Sequence, residues 1–239
     1  MGSLYLVRHA QASFLEPNYD KLSALGEVQA RVLGEYWAQR KIAFARTGTG
    51  PCARQKDTAQ IVSAAYRQAG LTFPEPQVLP EFDEYQGEAV LRGSLPRLLE
   101  TDPRIGELHA AFQSSASNAE KRVAFQKLFE AVVGDWVRGV IHLQGVETWP
   151  QFCARVNSGL TKFLASEKRG ERVAIFTSGG PIAVAAQRAL HLSPESTLQM
   201  TWMSRNSSWS EFLHSAERFT LSSFNIHEHL VDPAMRTYR

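Results

Sequence analysis

Two cysteines among 239 residues exclude a disulfide framework, and Cys52 and Cys153 form no metal-ligand spacing; this usage suits a reducing compartment, and a cytoplasmic protein is expected. No apolar run approaches the roughly 18 residues a membrane span needs. The formal net charge is only +2, and the basic residues are evenly spread, which argues against a nucleic-acid partner but permits a local basic pocket. There is no internal repeat and no low-complexity segment. The first apolar run begins at about residue 3, which leaves no room for a signal peptide. What is present is a chain with 44% hydrophobic and 21% charged residues, enough for one large domain over residues 1–239 with its own core.

Strand and helix signals alternate. Leu4-Tyr5-Leu6-Val7 suits a buried strand. A polar turn, Asn18 to Ser23, follows, and Ser23 can cap a helix over residues 24–40. Ile42-Ala43-Phe44-Ala45 reads as a second strand, Thr47-Gly48-Thr49-Gly50-Pro51 as a glycine-rich turn, and residues 51–68 as a helix. Val78-Leu79 reads as a third strand, before the acidic loop Glu81-Phe82-Asp83-Glu84-Tyr85. Strand signals then vanish. Phe125, Leu128, Phe129, Val132, Val133, Trp136 and Val140 fall at helical spacing over residues 119–142, and residues 87–145 read as a helical cap insertion. Thr148 and Gln151 fit a capping box for a helix to about residue 167. Val173 to Thr177 is a fully apolar strand, turned by Ser178-Gly179-Gly180-Pro181 into a helix over 182–190. Segments 206–212 and 219–224 are two more candidate strands. The pattern implies an α/β three-layer sandwich, a mostly parallel central sheet with helices on both faces and a helical cap insertion.

Four strand-to-helix corners carry the chemistry. The first strand breaks into Arg8-His9, with the Ser13 hydroxyl close behind. The second corner brings Arg54, and the third the carboxylates Glu81, Asp83 and Glu84. The fourth brings Ser178 and the amides of Gly179 and Gly180 at a helix N-terminus, where unpaired N–H groups and the helix dipole attract phosphate. In open α/β sheets such corners line one crevice. Two guanidinium groups to neutralise phosphoryl oxygens, an imidazole to attack in line and a carboxylic acid to protonate the leaving oxygen are what phosphomonoester hydrolysis needs. Two nearby cations disfavour imidazolium, so His9 is expected neutral near pH 7. Ser13 has two readings, a phosphate ligand or a cap of its loop.

On these residues the chain resembles the histidine phosphatase superfamily, also called phosphoglycerate-mutase-like, over nearly its whole length. Leu6-Val7-Arg8-His9-Ala10 matches the Arg-His-Gly signature, with Ala10 for Gly. Asp20, Leu22-Ser23, Gly26, Gln29-Ala30 and Leu33-Gly34 follow its first helix pattern. The second arginine motif, Arg-Ala-x-Gln-Thr-Ala, reads Arg54-Gln55-Lys56-Asp57-Thr58-Ala59. Leu79-Pro80-Glu81 looks like the loop carrying the acid, and Asn225 to Leu230 resembles the last strand and tail. The resemblance implies a phosphomonoester hydrolase acting through a phosphohistidine on His9. Arg8 and Arg54 would hold the phosphate and Glu81 would be the general acid, with Glu84 its rival. Ser13, Ser178 and Gly179 would complete the binding set. The implied ligand is a small phosphorylated substrate or inorganic phosphate, with no cofactor and no metal.

One departure stands out. Where the family has a Ser/Thr-His-Gly sequence, this chain has Thr177-Ser178-Gly179, and serine cannot carry the charge of an imidazolium. Losing such a donor typically costs roughly 10²–10³ in rate. The departure implies either reduced turnover or another group in its place, with Arg205 and Lys56 as candidates. It also raises two alternatives: a phosphate-binding or regulatory protein, and a phosphoglycerate-type mutase, which the missing second histidine disfavours. His227 and His229 flank Glu228, a zinc-like arrangement that lacks a third ligand nearby.

Overall fold

The computed structural model describes residues 1–13, 20–165 and 170–238. The elements that position the site are β1 (Gly2–Arg8), α1 (Ala24–Gln39), β2 (Arg46–Thr49), α2 (Ala53–Gln68) and β3 (Gln77–Val78), followed by a 3-10 turn at Pro80–Phe82. A helical run comes next: α3 (Gly87–Thr101), α4 (Pro103–Gln113), α5 (Asn118–Val137) and α6 (Trp149–Leu164). The chain closes with β4 (Arg172–Thr177), α7 (Gly179–Leu190), α8 (Pro194–Met203), β5 (Trp209–His214) and β6 (Phe219–Ile226).

The six strands form one mixed sheet in the order β3-β2-β4-β1-β5-β6. β3, β2, β4 and β1 run parallel, while β5 and β6 join antiparallel. The register is set by burial on both faces. Tyr5, Val7, Ala174 and Phe176 point to one side and pack with Leu33 and Trp37 of α1 and Val62 and Tyr66 of α2. Their neighbours Leu4, Leu6, Val173 and Ile175 point to the other side and are equally buried. An α/β sheet with helices on both faces is therefore the observed architecture.

β2 is displaced from its expected place. It covers Arg46–Thr49, so the glycine-rich segment is strand rather than turn, and residues 42–45 precede it. The glycine is there for packing: a Cβ on Gly48 would lie 2.5 Å from Cδ1 of Leu79. α7 begins at Gly179, three residues before the expected start, and α5 ends at Val137, ahead of Gly139 at φ 75°. Thr148 and Gln151 do form the reciprocal cap of α6. The expected end of that helix near 167, and Asn18 and Tyr19 of the polar turn, lie outside the described residues.

Residues Met1–Glu84 and Arg155–Arg239 form one compact unit and Tyr85–Ala154 a second. The described residues of the second unit form helices and the turns that join them, with no strand. Its core holds Ile105, Leu128, Val132, Val133 and Trp136, the last flanked by Tyr85 and Trp149 at ring-centroid distances of 5.6 Å each. The unit contains the 87–145 segment and runs wider at both ends.

Candidate active site

Successive side chains of a strand diverge, and β1 uses this at its end. His9, next after Arg8, turns to the α2 side of the sheet, where its ring meets Arg54. Arg8 is anchored by its Nη1, which donates to the carbonyl of Ser204 at the C-terminal end of α8. The His9 backbone is locked in turn: its amide donates to Thr177 O at 2.8 Å, and its carbonyl accepts from Ser207 N at 3.3 Å and Asn206 Nδ2 at 3.3 Å.

The His9 ring is almost fully buried. Its Nδ1 lies 2.8 Å from the carbonyl of Ala10. A carbonyl only accepts, so Nδ1 carries the proton and Nε2 presents a lone pair. That lone pair accepts from Nε of Arg54 at 3.2 Å. Burial, then the charge of Arg54, then that of Arg8 push the imidazole well below the ordinary histidine value. Burial ranks ahead of the two guanidinium groups that the sequence brought forward.

Arg54 sits in the first turn of α2, and Asp20 fixes it there. One carboxylate oxygen of Asp20 accepts from Arg54 Nη1 at 2.7 Å, and the other from the Ala53 amide at 2.8 Å. Asp20 therefore caps α2 from outside the helix while aligning the guanidinium. Thr58, one turn along, accepts from the Ala10 amide at 3.0 Å and ties the loop after His9 to the same helix. On the other side Gln29, fully buried, accepts from Gln11 N at 2.8 Å and donates to Met235 O at 2.7 Å. The C-terminal segment thus braces the first corner.

The acidic loop sorts its three carboxylates by partner. Glu81 pairs with Lys162 of α6 at 2.9 Å. This bond from Lys162 is the main reason its carboxyl lies below the usual range, which makes it a poor proton donor. Asp83 accepts from the Cys52 thiol at 3.1 Å and from the Glu84 amide at 2.8 Å. Burial is the chief cause that pushes the Cys52 thiol up to about 12, so the thiol stays protonated and can donate. Glu84 reaches the first turn of α7, where its Oε2 accepts from Gly180 N at 3.2 Å. Arg155 holds the loop in this shape by donating to the carbonyls of Glu81 at 2.8 Å and Asp83 at 3.2 Å.

Ser178 is the N-cap residue of α7 and is fully buried. Its Oγ accepts from Nε2 of Gln55 at 2.8 Å. Gly179 opens the helix close to α8, where a Cβ would lie 3.0 Å from Thr201 O. The Ser13 hydroxyl donates to Leu22 O at 3.3 Å, so its loop already supplies a partner. His229 pairs with the Ser207 hydroxyl and His227 with the carbonyl of Asn225. Among the described residues no three His, Cys, Asp or Glu side chains are placed to hold a metal ion.

The structure thus joins Arg54 to His9 and brings the field of Arg8 onto the same ring, and it sends Glu81 to a different helix from Glu84. The sequence did not single out Asp20, Gln55 or Arg155 as functional. Asp20 and Gln55 lie inside the quoted motifs, where their partners 34 and 123 residues away are invisible to local reading.

An imidazole, two arginines and a helix N-terminus thus lie at the strand ends of an open α/β sheet. Residues 4–90 and 88–227 match the sequence profile of the histidine phosphatase superfamily (branch 1), and the chain belongs to that family. No curated protein matches in sequence. Among solved structures, Bacillus stearothermophilus YhfR is similar with TM-score 0.66 and 16% identity, over 96% of this chain and 99% of that one. The phosphoglycerate mutase of Bacillus anthracis gives TM-score 0.59 and 16% identity, over 95% and 94%. A mycobacterial glucosyl-3-phosphoglycerate phosphatase in complex with inorganic phosphate gives TM-score 0.57 and 19% identity, over 95% and 99%. At these identities the likeness establishes the fold. No described helix is long and apolar enough to cross a membrane.

Proposed function

We propose that the protein is a phosphomonoester hydrolase of small phosphorylated substrates, working through a phosphohistidine at Nε2 of His9. The observation that carries this reading is the fixed tautomer of His9: a neutral ring, its Nδ1 proton on Ala10 O and its Nε2 lone pair facing the Arg54 guanidinium. The substrate phosphoryl group takes the place of that lone-pair contact. Arg54 and Arg8 neutralise its oxygens, and Nε2 attacks phosphorus as the P–O ester bond breaks. Glu84, rather than Glu81, donates the proton to the leaving oxygen. As a carboxylate it then takes a proton from the water that cleaves the P–N bond, releasing inorganic phosphate and restoring His9. Water as final acceptor distinguishes this reading from a mutase. No step calls for a metal or cofactor.

Ser178 favours a second reading, a phosphate-binding or regulatory protein that has lost turnover, because it brings no cation to the fourth corner. An assay over a panel of phosphomonoesters, with His9→Ala as control, separates the two. Release of phosphate by the wild type and not by His9→Ala is expected. Phosphate binding with no release from any ester favours the second reading, and turnover that survives in His9→Ala removes the phosphohistidine.

A further inference from the structure

We infer that Gln55 is a positioning residue for Ser178, and that the pair commits the Ser178 hydroxyl proton to the phosphoryl group in the site. The inference deepens the hydrolase reading of the same site and rests on it.

Gln55 and Ser178 are both fully buried. The amide of Gln55 has one possible orientation. Its Oε1 accepts from the Cys52 backbone N–H at 3.0 Å, closing the capping box of α2, and a backbone N–H can meet only the oxygen of an amide. Its Nε2 therefore faces the other way and donates to Ser178 Oγ at 2.8 Å and, more weakly, to Phe82 O at 3.4 Å. Gly50 makes the space: a Cβ there would lie 2.2 Å from Gln55 Oε1.

A serine hydroxyl has one proton and two lone pairs. Gln55 takes a lone pair, which turns the proton away from itself. Among the described residues no acceptor is bonded to that proton. A buried donor left unmade is costly, and such groups collect where a ligand completes them. The position is right for one. β1 and β4 are parallel neighbours with Arg8 opposite Thr177, so His9 and Ser178 are the next residues at two adjacent strand ends. The Gly180 amide, two residues on, faces Glu84. A hydroxyl held here donates to a phosphoryl oxygen from the α7 side, with Arg8 and Arg54 supplying the charge.

Set against the motifs that the resemblance implies, the chain differs at both positions, Gln55 for alanine and Ser178 for histidine, and these two residues touch.

The test is a double-mutant cycle with Ser178→Ala, Gln55→Ala and the double variant, plus the isosteric Gln55→Glu. Three quantities are read for each: kcat/KM on p-nitrophenyl phosphate, Kd for orthovanadate and Tm. Ser178→Ala is expected to lose about 10²-fold in kcat/KM through kcat rather than KM, and Gln55→Ala about tenfold. The double variant should fall no lower than Ser178→Ala within about twofold, because Gln55 acts only through the hydroxyl. Gln55→Glu keeps the bond to Cys52 and accepts from Ser178 instead of donating, so it should lose kcat/KM like Ser178→Ala, with a lower Tm from the buried carboxyl. Multiplicative losses in the double variant, or full activity in Gln55→Glu, overturn the inference. If the wild type hydrolyses nothing but its orthovanadate affinity shows the same coupling, the pair stands and the hydrolase reading falls. Uncoupled orthovanadate binding sinks the pair, and no binding by the wild type sinks both.

Discussion

Arg54 and His9 meet at Nε to Nε2, 3.2 Å apart, and the far end of the same guanidinium is held by Asp20 at 2.7 Å. The carboxylate aligns the arginine, and the arginine in turn marks the lone pair of the imidazole. An anion entering between them exchanges one hydrogen bond for charge-assisted ones without moving the helix. On the proposed reading Asp20 acts on the anion only through Arg54, since it is partly exposed and would itself repel phosphate.

Asp20→Ala should therefore lower kcat/KM by about tenfold and weaken product inhibition by inorganic phosphate. It should also cost about 1 kcal/mol of stability as a lost cap. Asp20→Asn, which still accepts from Ala53, should recover most of the stability and little of the activity. A phosphate inhibition constant unchanged in Asp20→Ala would detach Asp20 from the site.

The two glutamates of the acidic loop give opposite expectations. Glu84→Gln should cost about 10²-fold or more on an alkyl phosphate, whose leaving oxygen needs a proton, and far less on p-nitrophenyl phosphate, whose leaving group does not. Glu81→Gln breaks the contact with Lys162 and should stay within about twofold on both. Comparing the two substrates across the two variants assigns the acid; equal losses on both substrates in Glu84→Gln would give Glu84 a binding role only.

What was legible in the sequence shares a cause with what was not. β1 and its Arg8-His9 ending were legible because a buried strand and its abrupt end are local patterns. α5 and the α6 cap were legible through periodicity and the Thr148–Gln151 spacing. β2 was misplaced because Gly48 signals a turn when its neighbours are unknown; its true reason is the Leu79 side chain across the strand pair. The partners that set Glu81 apart from Glu84, Lys162 and Gly180, lie 81 and 96 residues away. α8 went unread although Ser193 caps it and Pro194 occupies its first turn. Gln55 and Ser178 were each visible as departures, but only their contact shows that they belong together.

Stability should fall with acid, and buried histidines set the sign. Chiefly through burial, His229 is pushed down to about 3; its ring lies 5.6 Å from that of Trp209, tilted by 36°, and bonds to Ser207. His9 is also lowered well below its ordinary value. Between the folded value and the unfolded value near 6.5, the unfolded chain binds protons that the folded chain refuses. Stability is fully present above about 6.5 and declines as pH falls. Each such group adds about 1.4 kcal/mol per pH unit to the slope. Urea unfolding between pH 6.5 and 4 should show His229→Phe with a slope smaller by about one proton. Parallel curves for variant and wild type would mean that His229 takes its proton while folded.

The last expectation concerns Ser178→His, the change that would install the residue the family resemblance implies at this position. If the site were simply eroded, the imidazole would add a missing donor and raise turnover. The structure argues the reverse. Position 178 is fully enclosed, and Gln55 fills the space beside it. An imidazole there must displace a side chain anchored at Cys52, and overpacking of this kind typically costs about 1–3 kcal/mol. Ser178→His alone should therefore lower both Tm and kcat/KM. Gln55→Ala opens the volume at the cost of the Cys52 contact, so Gln55→Ala with Ser178→His should exceed Ser178→His by about tenfold or more in kcat/KM and recover part of its Tm. The sign of the coupling is what matters: Gln55→Ala is harmful with serine at 178 and helpful with histidine. A gain in kcat/KM from Ser178→His in the presence of Gln55 would show that the buried amide yields easily, and that the pair is not what keeps this corner in its present form.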